Sequence, residues 1–430
     1  MQRSIAVSEF ALIRNARDFP DTVGSLSEAY VLDETFQQLK QVATQTADVD
    51  AILTFFVQKG REAIRVKNYV GLLELPNGTQ VDILPKVADQ PAVARTALLN
   101  MLRHLRHSPF RTFVAHTGAT SLPLWDVFSN AFLEALSQLV SQGVQRAYVP
   151  VEGNERFWKG KFQVARHLRD NAHHAERLAV LYDTLTVDHA PNRVLKTTLL
   201  FLQRHGTGMD NQRRQQQLLW ALDDVPTSES IADDLRQIRA ITTARSTSHR
   251  QFARYKPALQ WAEALLQSQA FGLKTGRTGN FSLLFPMQRV FEDYVAHGLR
   301  QYYSPGQVLV QESSAHLVDE HIGSPRFRLQ PDILIRQPGR TLVLDTKWKR
   351  IDGADRVGNY GIEQADLYQL YAYGKKYEAD QLFLIYPAND TFSRPLDVFG
   401  YDESTHLHVI PFDVTRPLHE EIARLSGFLS

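Results

Sequence analysis

Cysteine is absent from all 430 residues. That one absence excludes disulfides, zinc ribbons, thiol nucleophiles and cysteine-ligated iron–sulfur clusters. Net charge is nearly absent too: 48 Lys and Arg against 47 Asp and Glu leave the chain at +1, so no global basic field marks a nucleic-acid binder and any basic surface has to be local. No stretch approaches the roughly eighteen consecutive apolar residues of a transmembrane helix. The first thirty residues carry scattered charges and no uninterrupted apolar segment of the signal-peptide kind. A cytoplasmic protein with no membrane partner is the expectation. A phosphate-binding loop is also missing, since the nearest candidate, Gly272-Leu-Lys-Thr-Gly276, lacks the GxxxxGK[ST] spacing that lets backbone amides wrap a β-phosphate. The chain is therefore expected to bind and hydrolyse no nucleotide itself.

A chain of this length exceeds what one hydrophobic core sustains, and its 43% hydrophobic content is enough to fold two or three domains. Residues 62–66, 69–75 and 79–84 are short β-rich runs, the last two separated by Pro76-Asn-Gly-Thr79, whose Asn-Gly pair suits a tight hairpin. A β-rich domain over residues 1–91 with a projecting hairpin follows. Helical periodicity in 94–105, 127–140, 192–204 and 231–242, broken by an irregular aromatic and charged stretch at 148–162, predicts a mainly helical region over 92–275. Gly272, Gly276 and Gly279 predict a linker at its end. From 276 to 430 the order is helix (286–302), strand (308–312), strand (332–336), Pro-Gly turn, strand (341–345), helix (363–377), strand (381–386). The fold class is thus α+β multidomain, ending in an α/β core.

Chemistry concentrates in that last segment. Pro331-Asp332 opens the apolar run Ile333-Leu334-Ile335, and after the turn Leu342-Val343-Leu344 delivers Asp345-Thr346-Lys347. Two adjacent strands so aim two carboxylates and an amine at one point. Phosphodiester hydrolysis needs such a set: hard oxygen ligands hold Mg²⁺, and a nearby lysine positions or deprotonates a bound water. Asp332 and Asp345 are the candidate metal ligands, the Thr346 carbonyl a third, and Lys347 the water-activating or charge-stabilising group. The bland alternative is a hairpin with solvated charges. Two further signals bear on the choice. Glu292 sits in an otherwise apolar helix beside Phe291, Tyr294 and Val295, either on a solvated face or as a further metal ligand or orienting group. Gln369 and Tyr373 share a helix face at i, i+4, either as packing or as support for the carboxylates or a DNA phosphate. Lys347-Trp-Lys-Arg350 adds a local basic cluster suited to backbone phosphates, although such clusters are more often simply solvated.

Helix-Glu, PD, DTK and QxxxY in this order resemble the RecB-like branch of the PD-(D/E)xK nucleases. Outside that segment, Tyr69-Val-Gly71 followed by the hairpin and Ile83-Leu84-Pro85-Lys86 resembles the N-terminal part of the McrC family. Tyr148-Val-Pro with Trp158-Lys-Gly-Lys161 is similar to that family's stretch ending in a basic triplet, and Asp188…Asn192…Leu195-Lys196 to its helix entry. The last of these also reads as a cap followed by a core residue. The resemblance spans about residues 60–390 and is diffuse between motifs.

What it implies is an Mg²⁺-dependent endonuclease subunit that cuts double-stranded DNA when assembled with a GTP-hydrolysing AAA+ hexamer of the McrB kind, GTP being bound by that partner. Residues 1–91 would then be the partner-binding domain, with Arg61, Arg65, Lys67, Asn68 and Tyr69 as candidate contacts against the plainer reading of a charge-protected strand edge. Cutting both strands further implies that two nuclease sites meet. Two rivals stand beside this expectation: a stand-alone repair nuclease, and a non-catalytic adaptor that only stimulates the motor.

Overall fold

A computed structural model of the chain describes residues 4–45, 52–105, 110, 122–174, 176–243, 252–267 and 282–429. The expected linker at 272–280 lies outside the described residues, as does the Gly272–Gly276 run. Two compact units emerge, Met1–Pro123 with Gly272–Ser430, and Leu124–Phe271. The boundaries expected at 91/92 and 275/276 do not coincide with these, because the first and last segments of the chain share one unit.

The N-terminal part of the first unit runs β1 (Ser4–Ser8), β2 (Leu12–Asn15), β3 (Glu28–Val31), α1 (Asp33–Gln45), β4 (Leu53–Gln58), β5 (Arg61–Val66), β6 (Tyr69–Glu74), β7 (Gln80–Leu84) and α2 (Pro91–Leu102). One four-stranded sheet has the order β3-β2-β5-β4. A second begins β1-β7-β6 and is completed by a strand from beyond the second unit, residues 282–286. Val7, Ile13, Phe36, Leu39, Ile64 and Ile83 form a core common to both sheets. The Asn-Gly hairpin is present, with Leu75 N–H donating to Thr79 O at 2.9 Å and Gly78 at φ 78°. It does not project. β6 has a partner on each side and is buried almost throughout, as a strand apolar on both faces should be. Gly71 is required there: its φ is +127°, and a Cβ would stand 2.1 Å from Leu283 O on the neighbouring strand. Exposed residues cluster instead at the β4–β5 tip, 57–61, where Lys59 and Gly60 take positive φ.

The second unit contains α3 (Leu124–Ser141), β8 (Ala147–Glu155), β9 (Lys161–Phe162), α4 (Val164–Asp170), β10 (Leu178–Thr186), α5 (Ala190–His205), α6 (Met209–Ala221), α7 (Ile231–Thr243) and α8 (Lys256–Gln267). The expected helices are there, with α5 packed against α6, α7 and α8. The stretch 148–162, expected to be irregular, instead supplies two strands of a three-stranded sheet, β8-β10-β9. Pro150 and Gly153 hide β8 in the sequence, yet an edge strand tolerates a missing N–H, and Tyr182 lies so close to Gly153 that a Cβ would meet it at 2.8 Å.

The first unit resumes with β11 (Ser282–Pro286), α9 (Met287–Tyr302), β12 (Val308–Val310), β13 (His316–His321), β14 (Ser324–Arg328), β15 (Ile333–Gln337), β16 (Arg340–Thr346), α10 (Gln364–Lys376), β17 (Gln381–Pro387), β18 (Phe399–Gly400), β19 (His406–Phe412) and α11 (Leu418–Leu429). Every element expected between 286 and 386 is found. β11, β13, β14, β18, β19 and α11 were not foreseen. A mixed six-stranded sheet has the order β12-β15-β16-β17-β19-β18. β15 and β16 are antiparallel across the Pro338-Gly339 turn, whereas β16 and β17 are parallel and need α10 as their crossover. Side-chain alternation sorts the faces. Leu334, Val343, Leu382 and Leu384 pack under Leu370 and Tyr373 of α10. Phe412 points the other way, to Phe291 and Tyr294 of α9 at 5.8 and 6.1 Å between ring centres. α11 lies so close to α9 that a Cβ on Gly298 would meet Ile422 at 2.5 Å.

Candidate active site

The β15–β16 register sets the centre of the site. Ile333 pairs with Leu344, so one step further along the antiparallel ladder Asp332 comes opposite Asp345. Both carry the parity of Leu334 and Val343 and face α10, as does Lys347 two residues on. Asp332 Oδ2 accepts hydrogen bonds from the Thr346 N–H and hydroxyl, each at 2.8 Å. Lys347 Nζ stands 3.0 Å from Asp345 Oδ2, 3.3 Å from Asp366 Oδ1 and 3.3 Å from Gln369 Oε1. Gln369 Nε2 donates to the Tyr373 hydroxyl at 2.7 Å, which donates to Gln330 O at 3.2 Å, just ahead of Pro331-Asp332. The i, i+4 pair on α10 thus spans from the lysine to the entry of the first strand.

Burial governs the electrostatics. Asp345 is only 3% exposed. Desolvation first, and then the neighbouring Asp332 charge, raise its pKa well above the carboxylate range despite the lysine. Asp332 moves the same way through burial, opposed by its Thr346 hydrogen bonds. For Lys347, burial pulls downward, but Asp345 and Asp366 together lift its pKa above the usual amine range. An ion pair normally depresses its acid, and here Asp345 rises because burial and Asp332 outweigh one lysine.

These residues suit a hard divalent cation. Two carboxylates are held together in a poorly solvated place, and Asp345 Oδ2, although ion-paired by distance, has no hydrogen bond of ordinary geometry among the described residues. Mg²⁺ is commonly held by one or two carboxylates while keeping several waters. Among the described residues no group of three His, Asp or Glu comes together as a metal site. Glu292 accordingly does not complete a three-carboxylate cluster. It is buried on α9 and accepts from Gln311 Nε2 at 2.8 Å, while the Gln311 N–H donates to Asp332 O at 2.9 Å. The Thr346 carbonyl accepts from Gln288 Nε2, which occupies one of its two lone pairs.

Asp366, Gln288, Gln311 and Tyr386 were missed in the sequence. Asp366 was the most accessible to foresight, one turn before Gln369 on the same helix. Tyr386, on the α10 face of β17, has a buried hydroxyl without a hydrogen-bond partner among the described residues, and burial, then Asp366 and Asp345, oppose its ionisation. The cluster expected at 347–350 is dispersed: Trp348 is buried against Phe291, Lys349 pairs with Glu363 at 2.7 Å and Arg350 lies 3.9 Å from Asp390.

The N-terminal candidates also separate. Arg61 and Arg65 are exposed on β5, which has a strand on each side and so is not a sheet edge. Their guanidinium groups lie over Phe19 and Phe56 at 4.5 and 5.2 Å from the ring centres. Lys67 N–H donates to Ile52 O, Asn68 O accepts from Met287 N–H, and Tyr69 packs on the shared core. In the second unit, Lys159 lies over the Tyr182 ring at 3.8 Å, and Gly160 takes φ +64° where a Cβ would stand 2.3 Å from Leu181 O.

The fold and the site define a mixed α/β protein that sets two facing carboxylates and a lysine at the ends of adjacent strands under a helix. Residues 64–387 match the family model described as the McrBC 5-methylcytosine restriction system component. The chain belongs to the McrBC family. It is similar, at a TM-score of 0.69 and 18% identity over 99% of this chain and 100% of the other, to a chain of the refined half-complex from the tetradecameric assembly of Thermococcus gammatolerans McrB AAA+ hexamers with bound McrC. A chain of the Thermococcus gammatolerans McrBC complex overlaps 70% of this chain and 88% of its own length at 19% identity and a TM-score of 0.46. No curated protein matches.

Proposed function

We propose that the chain is the endonuclease subunit of its restriction system, a PD-(D/E)xK enzyme cutting double-stranded DNA at Asp332, Asp345 and Lys347 when assembled with a GTP-hydrolysing AAA+ hexamer whose GTPase it stimulates. The observation that carries this reading is the placement of Asp332 opposite Asp345 with Lys347 on the same face. The family match supports the restriction setting. The full-length likeness to a chain from an assembly of McrB AAA+ hexamers with bound McrC is the support for the partner.

Asp332 and Asp345 would hold Mg²⁺, with the free lone pair of the Thr346 carbonyl adjoining. When bound, the ion polarises the phosphodiester and makes a water more acidic. The Thr346 N–H and hydroxyl both bond one oxygen of Asp332 and so fix its carboxylate. Lys347, kept cationic by Asp345 and Asp366, holds positive charge where the pentacovalent phosphate gathers negative charge. Gln369 and Tyr373 keep that lysine and the Asp332 strand in register, and Glu292 acts from one remove through Gln311.

Purified chain is incubated with Mg²⁺ and plasmid DNA, with and without the neighbouring-gene GTPase and GTP, using Asp345→Ala as control. Cleavage only in the full mixture, lost on substitution, is expected. Cleavage by the chain alone would establish a stand-alone nuclease. Equal stimulation of GTP hydrolysis by wild type and variant with no cutting by either would establish an adaptor.

A further inference from the structure

One contact joins the N-terminal sheet directly to the strand that carries the site. Glu9 directly follows β1 and is 1% exposed. Its N–H donates to Leu84 O at 2.9 Å, and its Oε1 accepts from the Lys86 N–H at 3.1 Å and from the Trp348 indole N–H at 2.6 Å. Trp348 in turn is tied to the strand end it leaves. Its backbone N–H donates to Gln288 Oε1 at 2.8 Å, and the same Gln288 side chain donates to the Thr346 carbonyl. The indole packs edge-on against Phe291, the neighbour of Glu292, at 5.1 Å between ring centres.

We propose that Glu9 is a positioning residue for the carboxylate–lysine site: by holding the Trp348 indole it makes the placement of Thr346 and Lys347 depend on the N-terminal sheet. This rests on the nuclease reading of that site. Alternation along β16 gives the device its logic. Asp345 and Lys347 face α10, whereas Trp348, of the opposite parity, packs on Phe291 of α9 and bonds Glu9. A pull on Trp348 therefore turns the same strand end that presents Lys347.

A purely packing role would be served better by an apolar side chain, because burying a carboxyl costs free energy that two hydrogen bonds to one of its oxygens only partly return. What a carboxyl adds is direction, since an acceptor fixes the indole where an apolar neighbour would let it slide. Both donors converge on Oε1, and the buried Oε2 has no hydrogen-bond partner among the described residues. That is the pattern of a neutral acid, in keeping with a pKa that burial pushes up to about 7 against the Lys86 and Trp348 hydrogen bonds. The next residue, Phe10, takes φ 60°, a left-handed conformation uncommon outside glycine, so the turn is held by its contacts rather than by local preference.

The test uses the full-length chain with Glu9→Gln, Glu9→Leu, Trp348→Phe and the Leu/Phe double variant. It reads the backbone amide resonances of Thr346 and Lys347 together with single-turnover DNA cleavage by the complete system. Glu9→Leu and Trp348→Phe should each shift both amides and slow turnover by roughly tenfold with little change in the DNA concentration at half-saturation. The double variant should be no worse than the poorer single one. Glu9→Gln, which keeps the acceptor, should restore the wild-type resonances and rate. Should Glu9→Leu fail to fold, Trp348→Phe breaks the same bond from the other side. Unmoved amides and a wild-type rate in Trp348→Phe, or effects that simply add, would overturn the proposal. A wild-type chain that never cuts DNA would sink the nuclease reading instead, and the amide resonances would still decide the positioning.

Discussion

Two buried polar clusters in this chain are built on opposite principles. In the second unit, Asn192 is wholly satisfied: its Nδ2 donates to Gln145 O and Val187 O, and its Oδ1 accepts from the Tyr255 hydroxyl. Beside it Arg193 is shared between Asp188 at 2.6 Å and Asp234 at 2.6 Å, which holds the guanidinium pKa above its usual range, chiefly through Asp234. In the first unit, Asp332 and Asp345 face each other with one lysine between Asp345 and a third acid, and among the described residues the ion-paired Asp345 Oδ2 has no hydrogen bond of ordinary geometry. The first cluster secures a fold. The second crowds like charges in a buried place, an imbalance that a divalent cation would relieve, and this is what supports the proposal that it is the chemical site.

The difference can be broken most sharply at Asp345. If the proposed reading holds, Asp345→Asn should lower cleavage by at least about a thousandfold through loss of a proposed metal ligand. In metal-free buffer at pH 8 the same variant should melt no lower than wild type and preferably higher, because burial and Asp332 disfavour its charge. A large drop in melting temperature would erase the contrast. Asn192→Ala should do the reverse, costing about 3 kcal/mol of stability in denaturant titrations by removing three buried hydrogen bonds at once.

Glu9 offers a comparable effect through pH. Its ordinary pKa of 4.5 is raised to about 7 on folding, mainly by burial. A raised folded pKa means that the neutral acid stabilises the fold fully below 4.5 and that this contribution is lost as pH rises through 7. Glu9→Gln should flatten this part of the pH–stability curve, worth about 3 kcal/mol at pH 8. Tyr255→Phe, which deletes one donor to Asn192, should cost about 1 kcal/mol. Arg166→Ala, breaking partly exposed pairs with Glu152 and Asp170, should change melting by less than about 1 kcal/mol.

The sequence was most legible where chemistry and local geometry coincide. Pro338-Gly339 fixes a turn, apolar runs on both sides fix two strands, and the antiparallel register then brings Asp332 to Asp345 without help from the rest of the chain. Gln369 and Tyr373 were legible because helical spacing is local. What was hidden depends on long-range pairing. β11 joins β6 from beyond the second unit, and Glu9 meets Trp348 across 339 positions. No periodicity within either segment encodes such a partner, and this merged the expected first and third domains. The strand at Ala147–Glu155 was hidden for another reason: Pro150 and Gly153 read as breakers, and only the edge position and the neighbouring Tyr182 make them acceptable. The middle motif Asp188…Lys196 was found, yet its residues are spent on structure, with Lys196 donating to Asp223 O and Leu195 buried.

The measurement that bears most directly on the central claim is a paired assay of the reconstituted system, following GTP hydrolysis and double-strand cleavage in the same tube for wild type and Asp345→Asn. The account predicts that the variant stimulates the GTPase as wild type does while the DNA stays intact. Cleavage by Asp345→Asn at the wild-type rate would place the chemistry elsewhere and contradict it.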